Sequence, residues 1–325
     1  MIKLDPKIVE AADFYEQHYD PLGLLIRPGI KMLVGDRENQ ICRFCGKSRP
    51  EVSFRHEAHA IPESLGNKSL FTTYECDSCN QFFGGSIEDD LGKWSKPSRT
   101  FSRIRGKNRV PTLKKGGPGP GWRVEYDDST GLQIKQYEDD PIFVVDKEKK
   151  QVRFELKRDA YTPVAVLKAF VKIGLTLMPP EELPHFSEAL AWIREPDHTK
   201  SPVKKWPVRW TFQPGPMPND LIVVFLLRRK ISVKGVPYAF LVLAYGNEVF
   251  QVPLLSPKQD SVIYDRELTF PAFPTPGGPN PELYGEGRRG SLDLCGREVV
   301  RGERTPIVLG FDQVELKDFR DKNGD

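Results

Sequence analysis

The chain has no apolar run long enough to cross a bilayer. Its longest, Leu221–Leu227, falls far short of the roughly 20 residues a spanning helix needs. Residues 1–20 carry no apolar core of signal-peptide length and include several acidic side chains, so a cytoplasmic location with no membrane partner is expected. There is no phosphate-binding glycine loop, no internal repeat and little net charge, +3 over 325 residues. Cysteine is scarce too. Only five occur, which excludes a dense disulfide framework, and four of the five stand in two close pairs. Cys295 is alone and reads as an incidental thiol.

Those pairs, Cys42/Cys45 and Cys76/Cys79, are the most telling residues present. Thiolates at Cys-x-x-Cys spacing can grip one ion from a single tight turn, and two such turns complete a tetrahedral site. Gly46 directly after Cys45 suits a turn with positive φ. A redox dithiol would need a βαβ context that is missing. A structural Zn²⁺ is therefore expected. Between the pairs lies Glu57-Ala-His-Ala-Ile-Pro-Glu-Ser-Leu-Gly-Asn67, and Asn80 follows the last cysteine.

The order Cys42-x-x-Cys45, His59-Ala-Ile-Pro62, Gly66-Asn67, Cys76-x-x-Cys79-Asn80 resembles the zinc-stapled four-cysteine branch of the HNH (ββα-metal) endonucleases. The resemblance covers roughly residues 41–95, under a fifth of the chain. It implies a β-hairpin and a helix gripping a catalytic divalent ion, Mg²⁺ or Mn²⁺, against a scissile phosphate. On that likeness His59 is the general base, Asn80 ligates the catalytic ion, and Asn67 fixes the hairpin loop and so the histidine's orientation. A neutral imidazole, ordinarily titrating near ~6.5, suits proton abstraction at neutral pH. The sequence departs from the family at Ala58, where a metal-binding Asp or His commonly stands. Side chains alternate along a strand, so Glu57, on the face of His59, is the candidate replacement ligand and His56 the second. Glu63, Glu88, Asp89 and Asp90 read as solvated helix charges, and Asn80 could also simply cap the helix.

From Lys93 to Arg123 ten Lys or Arg occur with no Asp or Glu, ending in Gly116-Gly-Pro-Gly-Pro-Gly121. This stretch reads as a flexible linker or a nucleic-acid-binding arm. On the second reading Lys93, Arg99, Arg103, Arg105, Lys107 and Arg109 contact phosphates, with Trp94, Phe101 and Trp122 available to stack on bases.

The expected class is α+β, a small zinc-stapled ββα-metal module followed by a larger mixed α+β domain. The divisions are a helical leader (1–40), the nuclease module (41–95), the basic Gly/Pro-rich arm or linker (96–121) and an α+β domain of unknown role (122–325). Helices are expected near 6–19, 163–178 and 183–195. Strands are expected near 122–126, 132–137, 142–145, 152–156, 208–212, 221–227, 238–245 and 248–254, with loop after 271. His185 and His198 read as structural or exposed. The functional expectation is DNA cleavage by His59-assisted attack of water, with RNA not excluded. A non-catalytic zinc-stapled nucleic-acid-binding module stays open. So does a defence effector switched on through the C-terminal domain by a small molecule or protein, an idea drawn from the family alone. Homodimerisation is open as well.

Overall fold

A computed structural model describes residues 6–26, 29–115, 121–136, 141–200, 205–263, 266–275 and 281–313. Helix α1 (Pro6–His18) runs directly into β1 (Tyr19–Ile26). Next come β2 (Met32–Val34), β3 (Ala58–His59), a 3-10 turn (Glu63–Leu65), β4 (Leu70–Thr72), α2 (Asp77–Gly84) and α3 (Ile87–Phe101). Strands β5 (Leu113–Lys114), β6 (Arg123–Asp127), β7 (Gly131–Lys135), β8 (Phe143–Asp146) and β9 (Gln151–Lys157) lead to α4 (Pro163–Leu177). A 3-10 turn (Leu183–Phe186) and α5 (Ser187–Ile193) precede β10 (Pro207–Phe212), β11 (Ile222–Arg229), β12 (Ala239–Tyr245) and β13 (Glu248–Leu254). The last elements are α6 (Pro281–Tyr284), β14 (Arg288–Asp293) and β15 (Arg304–Gly310).

Six strands form one antiparallel sheet in the order β1-β11-β12-β13-β10-β14. Strand β12 lies inside it and is covered on both faces. Leu241 and Leu243 belong to the core around α4, whereas Phe240 and Val242 pack with Tyr15 and Tyr19. This is the period-two alternation of a strand written in apolar residues on both sides. Helix α4 begins at an N-cap, Thr162, with Pro163 at its first position, and every residue in it is buried. Gly174 permits the close approach to β13, since a Cβ there would lie 2.7 Å from Leu254 Cδ1.

The nuclease-like segment makes its own small sheet, β2-β4-β3. β3 and β4 are antiparallel, with His59 opposite Phe71, and α2 follows β4. This is a ββα unit. Its apolar residues Phe44, Phe83 and Leu91 share one continuous core with α4, β12 and β13.

Several expectations need correction. The leader over 1–40 is not helical throughout, since β1 follows α1 directly and pairs with β11 as an edge strand. The signal is broken by Pro21 and Gly23, where the register also shifts. The tail after 271 holds β14 and β15, half-exposed strands without an apolar alternation. The helix at 183–195 is split into a 3-10 turn and α5. The basic stretch starts not as linker but as helix, because α3 runs through position 95 to Phe101. The glycine–proline run at 116–120 lies outside the described residues.

Candidate active site and metal centre

The four paired cysteines converge. Their sulfur atoms all lie within 4.8 Å of one another, and Cys45 Sγ is 3.8 Å from Cys76 Sγ. A tetrahedron with metal–sulfur bonds of about 2.3 Å has edges of about 3.8 Å, so the donors fit an ion of zinc's size. Gly46 adopts φ +71, as its place after the first knuckle requires. A hydrogen bond from Cys79 is the chief reason the Cys42 thiol is held down to about 4, with Cys79 pushed up in turn. Burial raises Cys45 as well, so without an ion the cluster holds protons on Cys45 and Cys79, and a metal bound there would displace them.

The knuckle also serves the larger domain. Arg43, between the first two cysteines, donates from Nη1 to the carbonyls of Leu175, Thr176 and Met178 at 2.8, 2.7 and 2.7 Å. These are carbonyls at the C-terminal end of α4, where partial negative charge accumulates. The guanidinium lies 3.9 Å from the Tyr74 ring centroid, and the Tyr74 hydroxyl donates to the Thr176 carbonyl as well. At the other end of α4, Asp90 accepts from the Thr162 amide at 2.6 Å. Asp90 is therefore not a solvated charge.

His59 stands on β3 next to Ala58, whose side chain is buried completely. Ala58, which has no ligand atom, takes the inward position of β3 and His59 the half-buried one. Its ring packs on Phe71, centroids 4.6 Å apart. Burial holds the imidazole below its ordinary pKa, while the carboxylates of Glu63 and Glu88 pull it upward. Asn67 is buried and fully engaged. Its Nδ2 donates to the carbonyls of Ile61 and Leu70 at 2.8 and 2.7 Å, and its Oδ1 accepts from the Ser69 and Leu70 amides at 3.2 and 2.9 Å. Those bonds close the loop between β3 and β4.

Asn80 lies in the first turn of α2, whose N-cap is Cys76, so it does not cap the helix. Asp77 accepts from Ser53 Oγ, from the Arg55 and His56 amides and from His56 Nδ1. Although its partial burial works the other way, these bonds keep its carboxyl well below the usual range and fix the approach to β3. Glu57 is exposed and engaged by Lys31 and by Arg37 Nη2, the latter at 2.8 Å. The ion pair with Lys31 is the main reason its carboxyl is held low. Among the described residues, the cysteines are the one group of three or more His, Cys, Asp or Glu donors drawn together. Of the candidate ligands for a second ion, Glu57 is held by its two cations and His56 by Asp77.

The basic residues divide. Arg99 is buried and donates to Ser95 Oγ, Ser64 O and Gly92 O, so it is an internal brace rather than a phosphate contact. Lys93 pairs with Asp89, and Arg105 with Asp128. Arg103, Lys107 and Arg109 are exposed. Of the aromatics, Trp94 and Trp122 are buried and Phe101 packs on Phe154, so they stack within the protein. The segment is strapped to the loop that follows His59. Lys68 Nζ donates to the Gly106 carbonyl, and Gly66 (φ +94) lets Ile104 pack where a Cβ would be 2.9 Å from Ile104 Cγ2.

This geometry agrees with an independent comparison. Residues 42–95 match the family model described as HNH endonuclease. The match covers the knuckles, the β3–β4 hairpin, α2 and the first half of α3, and these form the HNH module of the chain. Nuclease-type chemistry on a nucleic-acid substrate is what the HNH module implies. Searches of curated proteins and of solved structures found no match. Among the described residues no helix is long and apolar enough to cross a membrane.

Sequence reasoning missed the residues that join the HNH module to the sheet: Arg43, Glu75, Glu88, Asp90 and Lys172. Glu75 and Glu88 both reach Lys172 Nζ, at 2.8 and 2.9 Å, inside the shared core. Burial pushes Glu75 up to about 7 against the pull of that ammonium. Burial alone would depress Lys172, and the two carboxylates more than reverse it. One signal was visible: two lysines, Lys168 and Lys172, inside the largely apolar run Val164–Leu177.

Proposed function

We propose that this chain is a metal-dependent endonuclease that hydrolyses phosphodiester bonds of DNA, with His59 as general base. The observation that carries the reading is the presentation of His59, half-buried on β3 of a ββα unit that also holds the four-cysteine cluster and is strapped to a run of exposed cations. In the folded chain burial favours the neutral imidazole, the form that accepts a proton. His59 takes a proton from water as the water oxygen bonds to phosphorus. The bond from phosphorus to the leaving oxygen breaks, and that oxygen leaves with a proton from solvent. Asn67 holds the loop that follows His59, and Phe71 supports the ring.

The four cysteines hold a structural Zn²⁺ in this reading, which replaces an extended core as the staple of the module. Asn80 and, once released by Lys31 and Arg37, Glu57 would hold the catalytic ion. Mg²⁺ or Mn²⁺ there would offset charge developing on the phosphate. Arg103, Lys107 and Arg109 face solvent beside the His59 loop and are the phosphate contacts, joined by Arg105 when it leaves Asp128. The domain after the arm would choose or regulate the target.

The engagement of Glu57 by two cations favours one rival, a zinc-stapled module that binds nucleic acid without cutting it. Cleavage of supercoiled plasmid at low salt with Mg²⁺ or Mn²⁺ separates the two. Wild type should cut, and His59→Ala of equal zinc content should not. Equal cutting by both would overturn the assignment of His59. Binding without cutting by either protein would support the rival.

A further inference from the structure

Helix α2 is only eight residues long, and its N-cap, Cys76, makes no side-chain capping bond. A helix this short has little stability of its own, so its place must be imposed from outside. The cysteines hold its first turn. Glu75 stands two residues before it and Glu88 four residues after it, and both reach the same ammonium, Lys172 Nζ. That nitrogen also lies 5.4 Å from the ring centroid of Phe83 on α2 and 5.5 Å from that of Phe44 in the first knuckle. We propose that Lys172 is a positioning residue for the site proposed above, clamping both ends of α2 so that Asn80 is held in register with His59.

The inference rests on the nuclease reading for its functional meaning, but not for its geometry. Stability alone does not explain the network. A buried ion pair is commonly matched or bettered by apolar side chains of similar volume, and α4 is otherwise apolar save for Lys168, which pairs with Glu195, and Thr176. Here one ammonium serves two carboxylates, and the second oxygen of Glu75 has no hydrogen-bond partner. Charge in this place is costly. What it supplies is a fixed spacing between two points that bracket α2. It also makes α4 the reference frame, since Arg43 and Asp90 lock the two ends of that helix to the same module.

The test uses the full-length zinc-loaded chain labelled with ¹⁵N-asparagine, the Asn80 side-chain amide being assigned by its loss in Asn80→Ala. In Glu88→Gln and, more strongly, in Lys172→Met, the Asn80 resonances should shift and broaden with zinc content unchanged. The other asparagine amides should stay in place. In a plasmid assay, Lys172→Met should lower kcat roughly tenfold or more with KM little changed, as expected for misplacement of a group near the chemistry. A merely structural lysine would lower the melting temperature yet leave the Asn80 resonances of the folded protein unmoved, and that result overturns the clamp. If Lys172→Met does not fold, Glu88→Gln decides, because its side chain keeps 16% exposure and tolerates the change better. If wild type shows no metal-dependent cleavage, the nuclease reading falls while the resonances still judge the clamp.

Discussion

The HNH module and the six-stranded sheet are held together by different means. Strands β3 and β4 are two and three residues long, and they depend on thiolates, on Asn67 and on Asp77 for their shape. Strands β11, β12 and β13 are seven or eight residues long and are built on apolar alternation. The first kind of construction demands particular residues at particular spacings, and so it carries a chemical message. The second accepts many apolar sequences and says little about function. Yet the two regions share a core and exchange polar bonds at both ends of α4. They should therefore fail together.

Removal of the metal is the strongest challenge to that view. A chelator, or Cys76→Ser, should cost on the order of 10 kcal/mol of binding free energy at the knuckle. Calorimetry should then show one transition moved far downward for the whole chain. An unmoved sheet transition would show two independent regions. The next largest effect concerns chemistry alone. His59→Ala should lower cleavage about 10²–10⁴-fold. Its melting temperature should change little, because the ring is half-buried.

Arg43→Ala sharpens the comparison from the other side. It leaves all four cysteines in place but strips three carbonyls at the end of α4 of a charged donor. A loss of about 2–3 kcal/mol in denaturant unfolding is expected, read on probes in the sheet as well as in the module. Neutralising Arg103, Lys107 and Arg109 to Gln should weaken DNA binding without altering stability. The slope of log affinity against log salt should become shallower by about 0.9 for each phosphate that is no longer neutralised. An unchanged slope would return the segment to the status of a linker.

The smallest effect is in pH. Burial is the leading influence on His59 and disfavours the imidazolium, so the neutral base persists below the ordinary value of about 6.5. The acid limb of the rate profile should lie under that value. The same sign holds for stability. The contribution of neutral His59 is present above about 6.5 and is lost as pH falls through its lowered value. A limb above 6.5 would mean that Glu63 and Glu88 outweigh burial.

The amino-acid sequence by itself determined the four-cysteine cluster, the start and end of α4 and the central strands of the sheet, and its likeness to a known family placed His59 in a ββα unit. The cysteine cluster, the helix and the strands rest on local rules, namely ligand spacing, an N-cap followed by proline, and alternation along a strand, whereas the ββα placement rests on the resemblance to the HNH family. Tertiary structure alone decided which charges turn inward. Glu88 and Asp90 read as solvated residues of a helical first turn, and Arg99 as one cation in a basic run, because local sequence does not say what packs above them. Their partners, Lys172, the Thr162 amide and the Ser64 carbonyl, lie 84, 72 and 35 residues away in the chain. Strands β1, β14 and β15 were equally hidden, since an edge strand takes its hydrogen bonds from a partner distant in sequence and needs little apolar pattern of its own.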